Sequence, residues 1–356
     1  HTVELTDGAR LQGRQIVSEE GSRAVIFFFN VMESSKVYTN DNVMRLDELP
    51  ARMVVIGGGV IAAEFSHVFS AFGTEVTQLN RSSRLLRGVD EEVVARFEEA
   101  ASKQWNIVKD AGLSEIRENA DGSVTVVAKR TTENGEELLE IPADAVLVAT
   151  GRRPNTDTLN AKNYFDVQDG GQLSVDKYQR VLYNGAPVPG VYALGDVSSS
   201  YQLKHVANHE ARVVQHNLSH PEDLRASDHR YVPGAVFSNP QIAVVGMTEE
   251  QAREAAEREG FEITVKAQNF GDTAYGWAME DKIGLCKLIA RKDNGELLGA
   301  HLVGEESSVL IQPLLQAMSF GMDARTLARG QYWIHPALTE IIENALLGLE
   351  FDEPAN

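Results

Sequence analysis

The 356-residue sequence contains a single cysteine, Cys286. That count excludes an internal disulfide framework and fits a reducing compartment. No run of about eighteen apolar residues occurs, so nothing reads as a bilayer-spanning helix. The first residues, "HTVELTDGAR", have neither the basic segment nor the apolar segment of a signal peptide. Basic residues are also scarce, with 33 Lys and Arg against 52 Asp and Glu and a net charge of −19. This balance argues against nucleic acid, whose phosphates demand clustered cations. A phosphorylated cofactor stays open, because an arginine pair acts locally whatever the global charge. The expectation is a cytoplasmic protein that engages neither nucleic acid nor a membrane.

What is present is ordinary globular material, 43% hydrophobic and 24% charged. The length predicts two or three domains at roughly 100–200 residues each. Asp7-Gly8 marks an early hairpin between alternating residues. Met53–Ile56 is a continuous apolar run, as for a strand covered on both faces. Beyond three glycines, Ile61, Ala62, Phe65, Val68, Phe69 and Phe72 fall at helical spacing, and "EVTQL" predicts the next strand. Asp90 caps a predicted helix to Lys103, and "SVTVVAK", "ELLEI" and "AVLVAT" predict strands. From about Tyr231 onward strands dominate, broken by a helix from Thr248 and followed by helical stretches at 309–320, 323–329 and 337–347. Such segregation predicts an α+β domain.

"VVIGGGVIAAE" sets Gly57, Gly59 and Ala62 in the G-x-G-x-x-G/A pattern between strand and helix. The first glycine permits the turn, the second lets backbone approach a pyrophosphate, and the small third residue lets helix and strand close. The helix then aims its free amides at the phosphates. About twenty residues on, where an acid would bind the ribose of NAD, the sequence reads "LNRSSRLLR", with Asn80, Arg81, Arg84 and Arg87. Guanidinium groups without a carboxylate fit the extra phosphate of NADPH.

Two further stretches carry chemistry. "GVYALGD" ends a predicted buried strand at Gly195-Asp196. An aspartate there can accept hydrogen bonds from a sugar-like chain, and a helix starting near Lys204 can stabilise an anionic ring edge. On that helix His205 and His209 are followed by Glu210, an order that lacks the H-E-x-x-H metal motif; no metal is expected. Near the end, "YWIHPALTEIIENALLG" places Glu340 five residues after His335. A His–carboxylate pair moves protons at neutral pH. Pro336 reads as the first residue of the closing helix. Cys286, in "IGLCKLIA", reads as a small core residue of a strand.

The stretches "VVIGGGVIAAEF", "VLVATGRRPNT", "GVYALGDVS" and "HPALTEIIENAL" occur in the order of the class I flavin-dependent disulfide oxidoreductases, and the chain resembles that family from about Ala51 to Leu349. Within it, "LKHVANHEARVVQHNL", "AYGWAMED", "LIQPLLQAMSFGM" and "ARGQYWIHPALTE" are similar to the mycothione-reducing branch. The resemblance implies an α/β architecture. A partial FAD domain (1–50 and 152–229) and a complete NADPH domain (51–151), both Rossmann-type, would precede an α+β dimerisation domain (230–356). It implies FAD and NADPH as cofactors, a small-molecule disulfide as substrate and a homodimer. By position, Gly57, Gly59 and Ala62 would hold the NADPH pyrophosphate, and Arg81 with Arg87 its 2′-phosphate. Gly151 would lie along the nicotinamide nucleotide, Asp196 against the FAD ribityl chain, and Lys204 and His205 near the flavin's pyrimidine edge. Glu64 would sit near the flavin, where relatives pair it with a lysine. His335, oriented by Glu340, would serve thiols of the other subunit.

Those thiols are absent from these residues, as is the first G-x-G-x-x-G of the family, so the chain reads as an amino-terminally truncated reductase. Two departures stand out. Where relatives carry small residues and a proline, "RQIVSEEGSRAVIFFF" has Glu19, Glu20 and Ala24, and then Phe27–Phe29. Two carboxylates in a buried strand would cost several kcal/mol unless neutralised or paired, so this stretch is expected to be exposed or altered. Val60 stands where glutathione-reducing relatives often carry an aromatic residue. Alternative readings are a lipoamide dehydrogenase or a pyridine nucleotide transhydrogenase on the same scaffold, or a catalytically silent dimerising fragment.

Overall fold

The computed structural model describes residues 2–26, 34–133 and 135–352. They divide into two compact units, one of residues 1–25 and 151–229 and one of residues 26–150 and 230–356. No described helix is long and apolar enough to cross a membrane.

In the first unit, Ile16–Ser18 pairs in parallel with Ala186–Ala193, which pairs antiparallel with Arg180–Tyr183. Val181, Val191, Ala193 and Val197 close a small core over this sheet. Ser22–Ala24 pairs with Arg152–Pro154 in a separate two-stranded ladder. The chain turns between the two sheets at Gly21, whose φ of 68° favours glycine. Asp7-Gly8 does form a hairpin, between Thr2–Glu4 and Arg10–Gln12. Glu19 and Glu20 are both exposed. The burial cost foreseen for them therefore does not arise: the strand ends at Ser18, and both carboxylates follow it. Phe27–Phe29 lie outside the described residues.

The second unit holds three sheets. Its parallel sheet runs in the order Val37–Tyr38, Ala145–Val148, Arg52–Ile56, Glu75–Leu79 and Asn106–Val108. Met53, Val54 and Val55 are buried on both faces, which is why they form an unbroken apolar run. The helix Val60–Ala71, set by its 3.6-residue apolar spacing, is the crossover that parallel pairing with Glu75–Leu79 requires. Three antiparallel strands, Ala111–Glu118, Val124–Thr132 and Gly135–Ala143, form a second sheet.

The third sheet is antiparallel and five-stranded, ordered Gly234–Val236, Gln241–Gly246, Leu297–Gly304, Leu285–Arg291 and Ile263–Asn269. The helix Glu249–Glu259 carries a capping box on Thr248. One apolar cluster runs from Met53 and Phe97 to Ile242, Leu285 and Val303, so the parallel sheet's core is continuous with that of the third sheet.

A buried ion network adds to that seam. Asp90 caps the helix Glu91–Ala101 by accepting from Glu92 N at 3.1 Å, and also accepts from Glu249 N at 3.1 Å. Lys287 Nζ meets Asp90 at 3.0 Å and Glu249 at 2.7 Å. Burial opposes charge on Lys287, but its hydrogen bonds to Glu249 and Asp90 outweigh that and raise its pKa. Removing one member of such a network costs about 3–5 kcal/mol.

Two expectations need correcting. The closing helix spans Glu340–Leu347, not 337–347. Glu340 N and Ile341 N bond three residues back, to Ala337 O and Leu338 O, so 337–340 is a tighter turn. Pro336 therefore precedes this turn instead of opening the helix.

Candidate functional site

In the second unit the glycine turn follows the strand Arg52–Ile56. Gly57 has φ 143°, and a Cβ on it would strike the Ala149 carbonyl. A Cβ on Gly58 would strike Asn80 Oδ1. At Gly59 the space for a side chain is open, and no side-chain hydrogen bond caps the helix it begins. The turn thus presents backbone and unpaired first-turn amides to a cradle that a Cβ would fill, which suits a pyrophosphate. Ala62 is fully buried against the strand.

The turn is held from behind by residues whose part the sequence did not reveal. Gln78 Nε2 donates to Gly57 O at 3.0 Å, and Trp105 Nε1 donates to Gln78 Oε1 at 3.0 Å. Leu86 N donates to Gly58 O at 2.7 Å, tying the arginine loop to the glycines. Within that loop Asn80 turns inward and donates to Ser82 O at 2.8 Å and Arg84 O at 3.0 Å. Arg84 also turns inward, donating to Val89 O. Arg81 and Arg87 remain exposed, with Arg87 Nε 3.3 Å from Ser82 Oγ. Of the three arginines, Arg84 shapes the loop and the other two are exposed.

On the helix after the turn, Glu64 Oε1 accepts from Phe237 N at 2.9 Å. Burial pushes its pKa up, and the backbone bond only partly offsets this. Its described partner is therefore a backbone amide and not a lysine.

His335 stands on the loop before the closing helix with its side chain 66% exposed. Its Nδ1 lies 2.7 Å from Glu340 Oε1, and Glu340 Oε2 accepts from Ala337 N at 3.3 Å. An ionised carboxylate only accepts, so Nδ1 donates and the exposed Nε2 is left to take or give a proton. The His335 hydrogen bond holds the pKa of Glu340 below its ordinary value. On the same loop, Tyr332 and Ile334 are strongly exposed. Cys286, by contrast, is wholly buried in the strand Leu285–Arg291, and burial pushes its thiol up to about 12. It is inert as a nucleophile at neutral pH.

In the first unit Asp196 follows the strand Ala186–Ala193. Its Oδ2 accepts from Ser22 Oγ at 2.5 Å, and Arg152 Nε donates to Ser22 Oγ at 2.8 Å. Gly195, at φ 71°, donates its N–H to Glu210 Oε2 at 2.7 Å. Lys204 and His205 open the helix Lys204–Ser219, are exposed, and have no side-chain cap before them. Gly151 has φ 137° and open space where a Cβ would stand. Ser22, Arg152 and Glu210 escaped the sequence reading because no periodicity marks a partner more than a hundred residues away or one buried carboxylate on a helix.

Residues 2–211 match the family model for pyridine nucleotide-disulphide oxidoreductases, and residues 232–346 match the dimerisation domain of the same family. Mycothione reductase of Mycobacterium tuberculosis is 50% identical over 347 residues, covering 96% of this chain and 72% of that protein. Dihydrolipoyl dehydrogenase of Geobacillus stearothermophilus is 32% identical over 350 residues, covering 97% and 71%. Among solved structures, the HOCl-induced flavoprotein disulfide reductase RclA from Escherichia coli superposes with a TM-score of 0.84 at 27% identity, covering 98% of this chain and 76% of that one.

Proposed function

The chain belongs to the pyridine nucleotide-disulphide oxidoreductase family, and from that premise we propose that it reduces mycothione, the disulfide of mycothiol, at the expense of NADPH. As a member it is an FAD- and NAD(P)H-dependent disulfide oxidoreductase and carries the family's dimerisation domain. In this reading residues 51–151 carry NADPH, residues 1–50 and 152–229 contribute the flavin side, and residues 230–356 form the dimer.

Bound FAD supplies the chemistry that joins a two-electron hydride donor to a disulfide acceptor. The chain's own residues bind, orient and move protons. The Gly57–Gly59 turn and the uncapped start of its helix take the pyrophosphate, with Ala62 keeping helix and strand close. Arg81 and Arg87 face the 2′-phosphate, and the absence of a carboxylate at Asn80 removes what would favour NADH. Gly151 offers its unobstructed backbone to the nicotinamide nucleotide. Asp196, held on one oxygen by Ser22, turns the other toward the ribityl hydroxyls. The start of the helix at Lys204 and His205 faces the pyrimidine edge with its amides, and Glu64 contributes a carboxyl beside the flavin.

His335 is the acid–base group. Glu340 fixes its tautomer, so Nε2 returns a proton to a leaving thiolate when the substrate disulfide is cleaved. Buried Cys286 is not the thiol concerned; in this reading His335 serves a dithiol brought by the partner subunit.

The observation that carries the proposal is the 2.7 Å His335–Glu340 bond on a loop that also exposes Tyr332 and Ile334, within the stretch matched by the dimerisation domain. Steady-state kinetics of the dithiol-containing protein test it, comparing mycothione with lipoamide and NADPH with NADH. Turnover of mycothione with NADPH supports the reading; preference for lipoamide and NADH overturns it in favour of a lipoamide dehydrogenase. The 356-residue chain alone is expected to show no turnover.

A further inference from the structure

The first unit contains a second histidine–carboxylate pair. Glu210, midway along the helix Lys204–Ser219, is 1% exposed. Its Oε2 accepts the Gly195 N–H at 2.7 Å, and its Oε1 meets His229 Nε2 at 2.9 Å. No lysine or arginine forms an ion pair with it among the described residues. A carboxylate in such a place is costly unless both oxygens are satisfied, and here two donors satisfy them.

We propose that Glu210 and His229 are positioning residues for the flavin, a buried pair that sets the Gly195–Asp196 turn and so aims the Asp196 carboxylate. The inference rests on the reading above, in which Asp196 meets the ribityl chain.

The geometry gives the pair leverage over that aspartate. Gly195 sits in the left-handed region, and a Cβ there would lie 3.3 Å from Ala207 Cβ on the same helix, so the turn is already close against the helix. Gly195 O accepts from Ser198 N at 3.0 Å and Ser199 N at 2.8 Å, which closes the turn on itself. The Gly195 N–H bond to Glu210 then fixes how this closed turn sits on the helix. Asp196 is held independently through its side chain by Ser22, whose hydroxyl Arg152 in turn holds. Backbone and carboxylate are thus anchored from two directions, and loss of either anchor lets Asp196 swing.

His229 is itself positioned. Its carbonyl accepts from Tyr201 Oη at 3.3 Å, its ring lies 5.8 Å from the Tyr201 ring, and Ser227 Oγ lies 3.4 Å from Nε2. The imidazole borders a cavity of about 290 Å³ shared with Gln179, Ser198 and Ser199. Glu210 borders the same cavity but is only 1% exposed. The motif therefore holds a buried anion against a backbone amide by means of one half-buried ring.

Two readouts test the proposal. On the flavin-loaded protein, Glu210→Ala is expected to weaken FAD about tenfold or more, as loss of a charge-assisted bond predicts. Glu210→Gln keeps a carbonyl oxygen for Gly195 and is expected to restore most of the affinity. In the ligand-free chain, amide exchange at 195–199 is expected to quicken in Glu210→Ala and His229→Ala, with exchange at 53–56 unchanged as a check on folding. Wild-type FAD affinity and wild-type exchange in Glu210→Ala overturn the proposal, as does a Gln variant no better than the Ala variant. Asp196→Ala separates the premise from the inference. If it leaves FAD affinity intact, the ribityl reading fails and the flavin role of the pair falls with it. If it weakens FAD while Glu210→Ala does not, only the inference fails.

Discussion

Two histidine–carboxylate pairs of nearly equal length teach opposite lessons. His335 and Glu340 are 2.7 Å apart, five residues apart in sequence, and the imidazole is 66% exposed. His229 and Glu210 are 2.9 Å apart, nineteen residues apart, and the carboxylate is 1% exposed. In the first the carboxylate serves the ring: it fixes Nδ1 and leaves Nε2 open for proton transfer. In the second the ring serves the carboxylate: it compensates an anion whose other oxygen holds a backbone amide. On the reading proposed above, the same two groups serve as a proton-transfer group or as a positioning group according to which partner faces water.

The sharpest way to break that contrast is to remove His335 from one pair and Glu210 from the other. His335→Gln in the dithiol-containing protein is expected to lower kcat/KM for the disulfide about 10²–10⁴-fold, the usual worth of a positioned acid–base group. Its effect on thermal stability should be small, since the side chain is exposed; a large loss of Tm with intact kinetics would exchange the roles assigned here. At the second pair the effect should be on stability. Glu210→Ala leaves the Gly195 N–H buried without its partner, and a loss of about 1–3 kcal/mol in urea unfolding is expected. No change in the unfolding midpoint would show that the amide finds another acceptor.

The arginines test selectivity away from both pairs. Arg81→Ala with Arg87→Ala is expected to raise the KM for NADPH at least about tenfold, with each lost phosphate contact worth around 1.5 kcal/mol or more, and to leave the KM for NADH nearly unchanged. Arg84→Ala, by contrast, should act through loop stability, because that guanidinium is spent on Val89 O. Equal effects on both nucleotides from the double variant would remove the 2′-phosphate role.

The smallest effect concerns pH. Hydrogen bonding to His335 depresses the pKa of Glu340. A depressed carboxyl contributes stability that is present above its unfolded value, about 4.3, and is lost as pH falls through the lower folded value. Glu340→Gln should therefore differ slightly from the parent in Tm near neutrality and converge with it in acid. Because the group is near the surface, the difference is expected to be slight.

Much of this was legible beforehand. The apolar run at Met53–Ile56, the three glycines and the helical spacing after them specify a strand, a turn and a helix through short-range geometry alone. The Asp90 and Thr248 caps were readable for the same reason, as was the His335–Glu340 pair, whose members are local. The start of the closing helix was misplaced because a tight turn and an α-helix share their residue preferences over one turn. Arg84 was read with Arg81 and Arg87 because a run of arginines does not reveal which one folds back on its own loop. Glu210, Ser22 and Arg152 carried no signal at all.

The sequence by itself determined the chemistry that depends on neighbours along the chain: the glycine turn between strand and helix, the basic loop after it, and the imidazole with its carboxylate. Only the tertiary structure decided which polar groups are removed from water, and that separates a working side chain from a supporting one. Burial is a property of the packed whole, set by residues as distant as Ser22 and Asp196. No local pattern encodes it, and so the anchors of the Asp196 turn appeared only in three dimensions.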